Sequence, residues 1–372
     1  MPEPLVIVTG SLGYLGSRLT PYLRERGVRT MGYDLGLFQE CLLSPPDDGP
    51  TALRDARDLT ERDLEGAAAV VHFAGMSNDP FGALSPAAVY DPTRAYAVRL
   101  ARLCQSMGIR FIFASSCSVY GVGSLDLLTE EAPTQPQTAY SLNKLQIEQD
   151  VRDLADRAFS PVFLRFATVF GLSPRMRFDI VVNMLAGMAV ATGRVLLNSN
   201  GRAWRPNIHI EDACEAITRC LTVPLPAGRP LTVNVGDSRN NCTVLELAEH
   251  VCRAVPGCSL EFLSSFTGSS AGAELQALVR DRKIQDGVDS RTYRVSFDRI
   301  GQALPGFRCR WTMPEGIADL VQRLQALRLD AAQFTQANFY RLQRLEALFQ
   351  AGRITPEIRW ARDPQPAESV RA

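Results

Sequence analysis

A glycine-rich turn between an apolar run and an amphipathic segment constrains the fold of this chain more than any other feature. The run "LVIVTG" (5–10) predicts a buried strand, and residues 14–26 carry apolar side chains at helical spacing. Glycines between such elements permit a tight turn and a close approach of the backbone to a diphosphate. The first residues of the helix add free N–H groups. The turn therefore predicts a dinucleotide-phosphate cradle built by Gly10, Gly13, Tyr14, Leu15 and Gly16.

Apolar runs and amphipathic segments alternate along the first half of the chain. The pattern predicts further strands over 28–34, 68–75, 109–116 and 160–171, and helices over 92–107, opened by Pro92, and 140–158. Strands that alternate with helices are typical of parallel βαβ units. The sequence therefore predicts an α/β fold with a Rossmann-type, doubly wound parallel sheet.

Asp34 ends the second predicted strand, about twenty residues beyond the glycine turn. A carboxylate at this point accepts both ribose hydroxyls of NAD and repels the additional phosphate of NADP. No arginine follows in "LGLFQ" (35–39), so the sequence favours NAD as the cofactor. In "RDARDL" (54–59), Asp55 beside Ala56 either accepts from the adenine amino group or is an exposed loop acid.

The second half of the chain is less regular and predicts a smaller mixed α/β substrate-binding region. Strands are predicted near 194–198 and 231–235, and helices near 180–191, 211–222, 243–254 and, rich in arginine, 314–350. We assign residues 1–175 mainly to an NAD-binding domain that carries the catalytic residues and 176–325 mainly to substrate binding. Residues 326–372 form a helical C-terminal extension without an assigned role.

A serine cluster followed by a tyrosine–lysine pair predicts redox chemistry on a hydroxyl group. "SSCSVYG" (115–121) precedes "YSLNK" (140–144), which places Tyr140 and Lys144 one helical turn apart. A tyrosine is a poor base at its ordinary pKa of about 10, and a nearby ammonium lowers that pKa. Ser116 is suited to hydrogen-bond the substrate hydroxyl whose proton Tyr140 removes. The alternative is an ordinary amphipathic helix with a surface lysine, although Lys144 and Lys283 are the only lysines present.

Composition excludes several classes of function. The 40 basic and 40 acidic residues balance, which argues against nucleic-acid or anionic-membrane partners. No apolar stretch reaches the roughly 18 residues of a membrane span. Three scattered histidines without a CxxC pair indicate no metal site, and nine irregularly spaced cysteines indicate reduced thiols in the cytoplasm. We expect Cys117 to be a buried core residue without a chemical role.

The motifs together resemble the extended short-chain dehydrogenases/reductases of the sugar-nucleotide epimerase/dehydratase group. The resemblance runs from about residue 5 to 325 and rests on "TGSLGYLG", "HFAG", "SSCSVYG", "YSLNK" and "RPNIHIEDACEAI". It implies tightly held NAD, a nucleotide-diphosphate sugar as substrate, and a homodimer built on helices 92–107 and 140–158. It also implies cofactor contacts from Phe73, Ala74, Gly75, Tyr140 and Lys144.

The same resemblance implies a set of substrate-binding residues. Arg205 corresponds to the arginine that binds the diphosphate in the family, and arginine suits this role because its planar fork pairs with phosphate oxygens. The other substrate contacts that the resemblance implies are Ser116, Asn183, Arg291 and Arg175. His209 and Asp212 are interpreted as structural, the first as a strand residue and the second as a helix cap.

The residues after Ser116 bear on the reaction. Dehydratases of the family usually carry an Asp-Glu pair there, because elimination of water needs an acid and a base. This chain has Cys117 and Ser118 instead, and in "HFAG" it is similar to UDP-glucose 4-epimerases. The sequence therefore predicts an NAD-dependent epimerisation at carbon 4, through a transient keto intermediate. A nucleotide-sugar 4-ketoreductase and a non-catalytic dinucleotide-sensing module are the alternatives.

Overall fold

A seven-stranded parallel sheet forms the centre of the protein. The computed structural model describes residues 4–45, 47–77, 86–121, 127–263, 284–285, 288–289 and 292–361. The strands are β1 (Leu5–Thr9), β2 (Arg29–Asp34), β3 (Thr51–Leu53), β4 (Ala67–His72), β5 (Arg110–Ser116), β6 (Leu127–Leu128), β7 (Val162–Phe166), β8 (Thr168–Phe170), β9 (Arg194–Leu197), β10 (Trp204–His209), β11 (Leu231–Val235), β12 (Asn241–Thr243), β13 (Ser259–Phe262), β14 (Ile284–Gln285), β15 (Val288–Asp289) and β16 (Arg294–Val295). The large sheet has the order β11-β7-β5-β4-β1-β2-β3.

This strand order creates a switch point between β1 and β4. From β1 the chain moves outward to β2 and β3, then returns to β4 on the other side of β1 and continues to β5, β7 and β11. Residues of β1 are in parallel register with both β2 and β4. Connections therefore run in opposite directions from these two strands, and their carboxyl ends leave a crevice suited to a ligand. The predicted Rossmann-type sheet is confirmed.

Helices cover both faces of this sheet. They are α1 (Gly16–Arg24), α2 (Glu61–Leu64), α3 (Pro86–Met107), α4 (Ala139–Arg152), α5 (Val181–Thr192), α6 (Ile210–Cys220), α7 (Val244–Ala254), α8 (Ile300–Ala303), α9 (Met313–Ala326), α10 (Ala331–Phe334) and α11 (Arg341–Gln350). Val6 and Val8 pack in the core cluster that contains the buried residues of α1 and α6, whereas Ile7 packs with those of α3 and α4. This division follows the two-residue period of a strand.

The smaller region is built around short sheets and three helices. One sheet has the order β12-β10-β8, and β13 pairs with β9 in another. Helices α5, α7 and α9 contribute buried side chains to the same core cluster as α1 and α6. Among the described residues, no helix has both the length and the apolar character required to cross a bilayer.

Several predicted element boundaries differ from the structure. Helix α3 already contains Pro86 and carries Pro92 in its interior, although a proline there lacks the N–H of one helical hydrogen bond and its ring crowds the carbonyl one turn earlier. Helix α4 ends at Arg152 rather than near 158. The strand predicted over 160–171 divides at Ala167, because β8 leaves the large sheet and pairs with β10.

The C-terminal residues return to the loop that follows β2. The helical pattern predicted over 314–350 is divided into α9, α10 and α11, and Arg328 adopts a positive φ of 55° after α9. Leu345 and Leu348 of α11 are buried in a third apolar cluster with Leu37, which follows β2, and Tyr90 of α3. This packing holds the C-terminal residues against the loop that follows β2.

Candidate active site

A cavity of about 620 Å³ lies at the carboxyl edge of the large sheet. Its walls include the glycine turn after β1, the residues after β2, β4 and β5, and the first turns of α4. Sequence reasoning placed one dinucleotide and one sugar nucleotide at this edge. Every cofactor contact predicted from the sequence lines this single cavity: Gly10, Gly13, Tyr14, Leu15, Gly16, Asp34, Asp55, Ala56, Phe73, Ala74, Gly75, Tyr140 and Lys144.

The glycine turn forms a cradle that side chains would fill. Gly10 has a φ of 74°, and a Cβ atom on it would lie 2.8 Å from the backbone nitrogen of Ala74. A Cβ on Gly16 would lie 2.2 Å from the carbonyl oxygen of Gly10. Both positions therefore require glycine, and the space that remains at the start of α1 suits a diphosphate.

Asp34 is oriented by backbone groups at the end of β2. Its Oδ2 accepts from the backbone N–H of Leu12 at 3.0 Å, and its Oδ1 accepts from that of Gly36 at 2.8 Å. Burial raises the pKa of Asp34, while these two hydrogen bonds and the charge of Arg341 counter that rise. A carboxylate held in this way at the cavity wall fits the two ribose hydroxyls of NAD.

Asp55 is a half-buried, ion-paired acid rather than an exposed loop residue. Its Oδ1 accepts from the backbone N–H of Arg57 at 2.9 Å, and its Oδ2 pairs with the guanidinium groups of Arg57 at 2.6 Å and Arg359 at 3.2 Å. Of its two alternatives, the structure contradicts the exposed one. Arg57, Glu357 and Ile358 also line this end of the cavity, and sequence reasoning assigned none of them to it.

Ser116, Tyr140 and Lys144 meet at the opposite end of the cavity. Ser116 ends β5, and its hydroxyl accepts from the backbone N–H of Ser118 at 3.1 Å. Lys144 donates from Nζ to the carbonyl oxygen of Ala114 at 2.7 Å, and Nζ lies 5.9 Å from the centroid of the Tyr140 ring. Helix α4 thus brings the phenol and the ammonium to the strand end that carries the serine.

The environment of Tyr140 contains charges that the sequence did not reveal. Burial raises the pKa of Tyr140, and a hydrogen bond with Ser116 opposes this rise. The positive charges of Arg177 and Arg341 oppose it as well. Burial also lowers the pKa of Lys144 from 10.5 to about 7. Two arginines therefore favour the phenolate, in addition to any contribution from Lys144.

A buried polar network fixes the end of β5, which carries Ser116. Ser115 donates to Glu148 of α4, and Arg165 of β7 donates to the same carboxylate, with an Nη2–Oε2 distance of 2.7 Å. Arg165 also donates to Tyr120 Oη at 3.0 Å. The network links β5, β7 and α4, so it sets the position of Ser116 relative to Lys144.

A second group of charged side chains stands beside Tyr140. Arg177 binds Asp179 through two hydrogen bonds of 2.8 and 3.0 Å and donates to Ser77 Oγ at 3.0 Å. Burial raises the pKa of Asp179, but Arg177 and Arg341 hold it below its usual value. Asp179 is therefore an ionised partner of arginine and cannot donate a proton near neutral pH. Arg177, Asp179 and Arg341 all line the cavity. The segment "SPRMRFD" (173–179) offers Arg177 as a further nucleotide contact, whereas no sequence pattern indicates Asp179 or Arg341.

The predicted substrate contacts are only partly brought to the cavity. Arg205 lines it, whereas Asn183 and Arg175 do not. The Asn183 amide is fully buried, accepts from Gly171 N and donates to Tyr14 Oη, so its polar atoms serve internal contacts. Arg175 is buried, donates to Met176 O and lies 4.4 Å from the centroid of the Phe38 ring. Arg291 lies outside the described residues.

The remaining histidine and acidic candidates are structural. His72 is fully buried against Thr9, with Nδ1 and Oγ1 2.7 Å apart, and burial lowers its pKa to about 3. His209 ends β10 and caps α6 by accepting from Glu211 N at 3.4 Å. Asp212 is not the cap that the sequence suggested, since it accepts from the backbone N–H groups of Arg310 and Trp311. Within the described part of the chain, no group of three or more potential ligands could hold a metal ion.

Comparisons with known proteins agree on one family. The family model described as the NAD dependent epimerase/dehydratase family matches residues 6–236. A UDP-glucose 4-epimerase of Azospirillum brasilense is 28% identical over 257 residues, which covers 64% of this chain and 74% of that protein.

Solved structures share the fold. The NAD-dependent NDP-hexosamine 5,6-dehydratase TunA superposes with a TM-score of 0.71 at 20% identity, over 87% of this chain and 98% of its own. The UDP-glucose 4-epimerase of Thermus thermophilus, solved in complex with NAD, gives a TM-score of 0.66 at 21% identity. It is matched over 99% of its length and covers 86% of this chain.

Proposed function

Because the chain belongs to the NAD-dependent epimerase/dehydratase family, we propose that it epimerises a nucleotide-diphosphate sugar at carbon 4. The broader assignment, an NAD-dependent nucleotide-sugar epimerase or dehydratase, follows from the family and its relatives. The choice of epimerisation rests on one observation: among the residues that the structure describes, no acid able to donate a proton stands beside Ser116 and Tyr140.

The carboxylates among the described lining residues support that choice. Asp34 and Asp55 lie at the adenosine end, and Glu357 lines the wall there with Asp55 and Arg57. Asp179 alone lies near Tyr140, and Arg177 keeps it ionised. Elimination of water needs a proton donor for the leaving hydroxyl, and the described wall beside Ser116 and Tyr140 carries no carboxylic acid for that role. Epimerisation through a ketone needs only the base, the hydroxyl donor and a reversible redox partner.

The residues of this chain would divide the work as follows. NAD, when bound, supplies the reversible hydride acceptor. Tyr140 takes the proton of the 4-hydroxyl and later returns it, and Ser116 orients that hydroxyl through its own O–H. Lys144 holds the nicotinamide ribose and keeps positive charge near the phenolate. Arg205 binds the substrate diphosphate and leaves the sugar ring free to present either face.

Deuterium labelling tests the reaction. The protein is incubated in D₂O with UDP-glucose and, in parallel, with other nucleotide-diphosphate hexoses, without added cofactor. We expect the 4-epimer as product, with no deuterium at any carbon, because the hydrogen leaves and returns within one site. Deuterium at carbon 5 or 6 would indicate dehydration. Reduction of a 4-keto nucleotide sugar that requires added NADH or NADPH, without conversion of the 4-hydroxy sugars, would indicate the 4-ketoreductase.

The proposal includes a homodimer in the cytoplasm. Helices α3 and α4 lie side by side on one face of the sheet, and Arg94 of α3 pairs with Asp150 of α4 at 2.5 Å. Leu142 of α4 has 45% of its surface exposed, which is unusual for a large apolar side chain in this structure. An apolar side chain on a paired helical surface supports association with a second copy through these helices.

A further inference from the structure

The C-terminal residues contribute a wall of the cofactor cavity. We call residues 334–361 the clamp segment; three of its residues, Arg341, Glu357 and Ile358, line the cavity. The two solved relatives are matched over 98–99% of their own length, yet they cover only 86–87% of this chain. The chain therefore has residues beyond the fold that it shares with them, and a role for the clamp segment has to be found in its contacts.

One end of the clamp segment is anchored on the substrate side. The Phe178 N–H donates to the carbonyl oxygen of Phe339 at 3.1 Å, and the Phe178 ring packs edge-on against Phe334 and Phe339. Gly187 of α5 leaves the space for these rings, since a Cβ there would lie 2.7 Å from the Phe178 ring. Phe178 lies between Arg177 and Asp179, so this anchor is next to the charged group beside Tyr140.

The other end is anchored on the adenosine side. Trp360 donates from Nε1 to the carbonyl oxygen of Leu35 at 2.6 Å, directly after the ribose-binding candidate Asp34. Arg57 donates to the carbonyl oxygens of Glu357 and Ile358 at 2.6 and 2.9 Å. The clamp segment thus extends from the catalytic end of the cavity to its adenosine end.

Arg341 stands between these anchors, with its charge directed into the cavity. Its guanidinium donates to Ser77 Oγ, and its Nε is buried without a hydrogen-bond partner among the described residues. Its positive charge acts on Asp34 at one end and on Tyr140 at the other. Burial and then the nearby Arg177 lower the pKa of Arg341 to about 9. An anion at this point would relieve that cost.

We propose that Arg341 binds the diphosphate of NAD from the side opposite the glycine turn, and that the clamp segment closes over the bound cofactor. The Asp34 carboxylate and the Tyr140–Lys144 pair mark the positions of the two riboses, so the diphosphate that joins them passes Arg341. The glycine turn offers backbone N–H groups to one side of that diphosphate, and Arg341 offers a planar charged fork to the other. The inference rests on NAD as the cofactor and does not require epimerisation at carbon 4.

Cofactor release provides the test. Arg341→Gln removes the charge from the cavity, and Arg344→Gln is the matched control. Arg344 lies one turn along the same helix, contacts Leu37 O and Glu40 and does not line the cavity. A chain that ends at Gln350 removes the adenosine-side anchor. NAD per subunit is measured by chromatography after denaturation, and its dissociation rate by exchange with isotopically labelled NAD, without any sugar nucleotide.

We expect Arg341→Gln to release NAD on the order of ten to a hundred times faster than the parent, as loss of one charge-assisted hydrogen bond implies. The chain ending at Gln350 should also release it faster, and Arg344→Gln should match the parent. If Arg344→Gln released NAD as fast as Arg341→Gln, the cause would be altered packing of the helix, and the proposal would be overturned. If Arg341→Gln retained NAD as the parent does but had a raised KM for the sugar nucleotide, Arg341 would bind the substrate instead. That result would overturn the proposal as well.

Discussion

Replacing Lys144 by methionine should stabilise the nucleotide-free protein at neutral pH while it abolishes turnover. Lys144 is 8% exposed, and burial lowers its pKa from 10.5 to about 7. A folded-state pKa below the unfolded one means that, between about pH 7 and 10.5, the unfolded chain binds a proton that the folded chain lacks. Stability therefore rises with pH across this window, and the lysine destabilises the fold most below it.

The size of the effect follows from the same pKa values. The depressed pKa of Lys144 lowers the free energy of unfolding by about 4 kcal/mol at pH 7 and by about 2 kcal/mol at pH 9. Methionine removes that cost but also removes the hydrogen bond to Ala114 O, which is worth about 1–2 kcal/mol. The variant should therefore gain about 2–3 kcal/mol at pH 7 and roughly 0–1 kcal/mol at pH 9.

Chemical denaturation of parent and variant, both freed of nucleotide, measures the two differences. The informative quantity is the change of about 2 kcal/mol between pH 7 and pH 9, because this change follows from the titration of Lys144. The pKa of Tyr140 is raised above its ordinary value, so that phenol stays largely protonated at both pH 7 and pH 9. A stability difference that is constant over this range would refute the assignment of a depressed pKa to Lys144.

Three further predictions concern catalysis, the buried network and assembly. Tyr140→Phe should abolish epimerisation while NAD remains bound, because only the base is lost; mutant turnover equal to that of the parent would end the catalytic assignment. Glu148→Gln should lower the free energy of unfolding by about 3–5 kcal/mol in a denaturant titration, since Arg165 would keep a buried charge without its partner; a loss below about 1 kcal/mol would contradict this reading. Leu142→Glu should shift the protein from dimer to monomer in analytical ultracentrifugation, whereas Leu53→Glu, at another exposed leucine on the edge strand β3, should not; a dimeric Leu142→Glu would place the interface elsewhere.

The parts of the site that the sequence predicted are local or lie at strand ends. The glycine turn needs only a few consecutive residues, and Tyr140 and Lys144 need only the period of a helix. Asp34 and Ser116 end strands of a parallel sheet, and such ends share one edge whatever the loops do. For these residues, the spacing along the chain is enough to predict which side chains lie close together in space.

Other residues could not be placed in this way. Asn183 and Arg175 lie in segments that resemble substrate-binding motifs, yet neither lines the cavity. The Asn183 amide donates to Tyr14 Oη, and Arg175 donates to Met176 O in the interior. Arg57 and Arg341 are two among many arginines in the chain, and no local pattern distinguishes them from surface charges. Only the packing of distant elements shows which arginines reach the cavity.

The sequence by itself determined the Rossmann-type sheet, the NAD preference and the serine–tyrosine–lysine group, because each is encoded in short-range periodicity or in the spacing of a few side chains. Only the tertiary structure shows which charged side chains surround that group. Arg341 lies 264 residues beyond Ser77, and its contact exists only because apolar residues of α11 pack on the loop after β2. Contacts over such separations depend on the whole fold, for which the intervening chain carries no local signal.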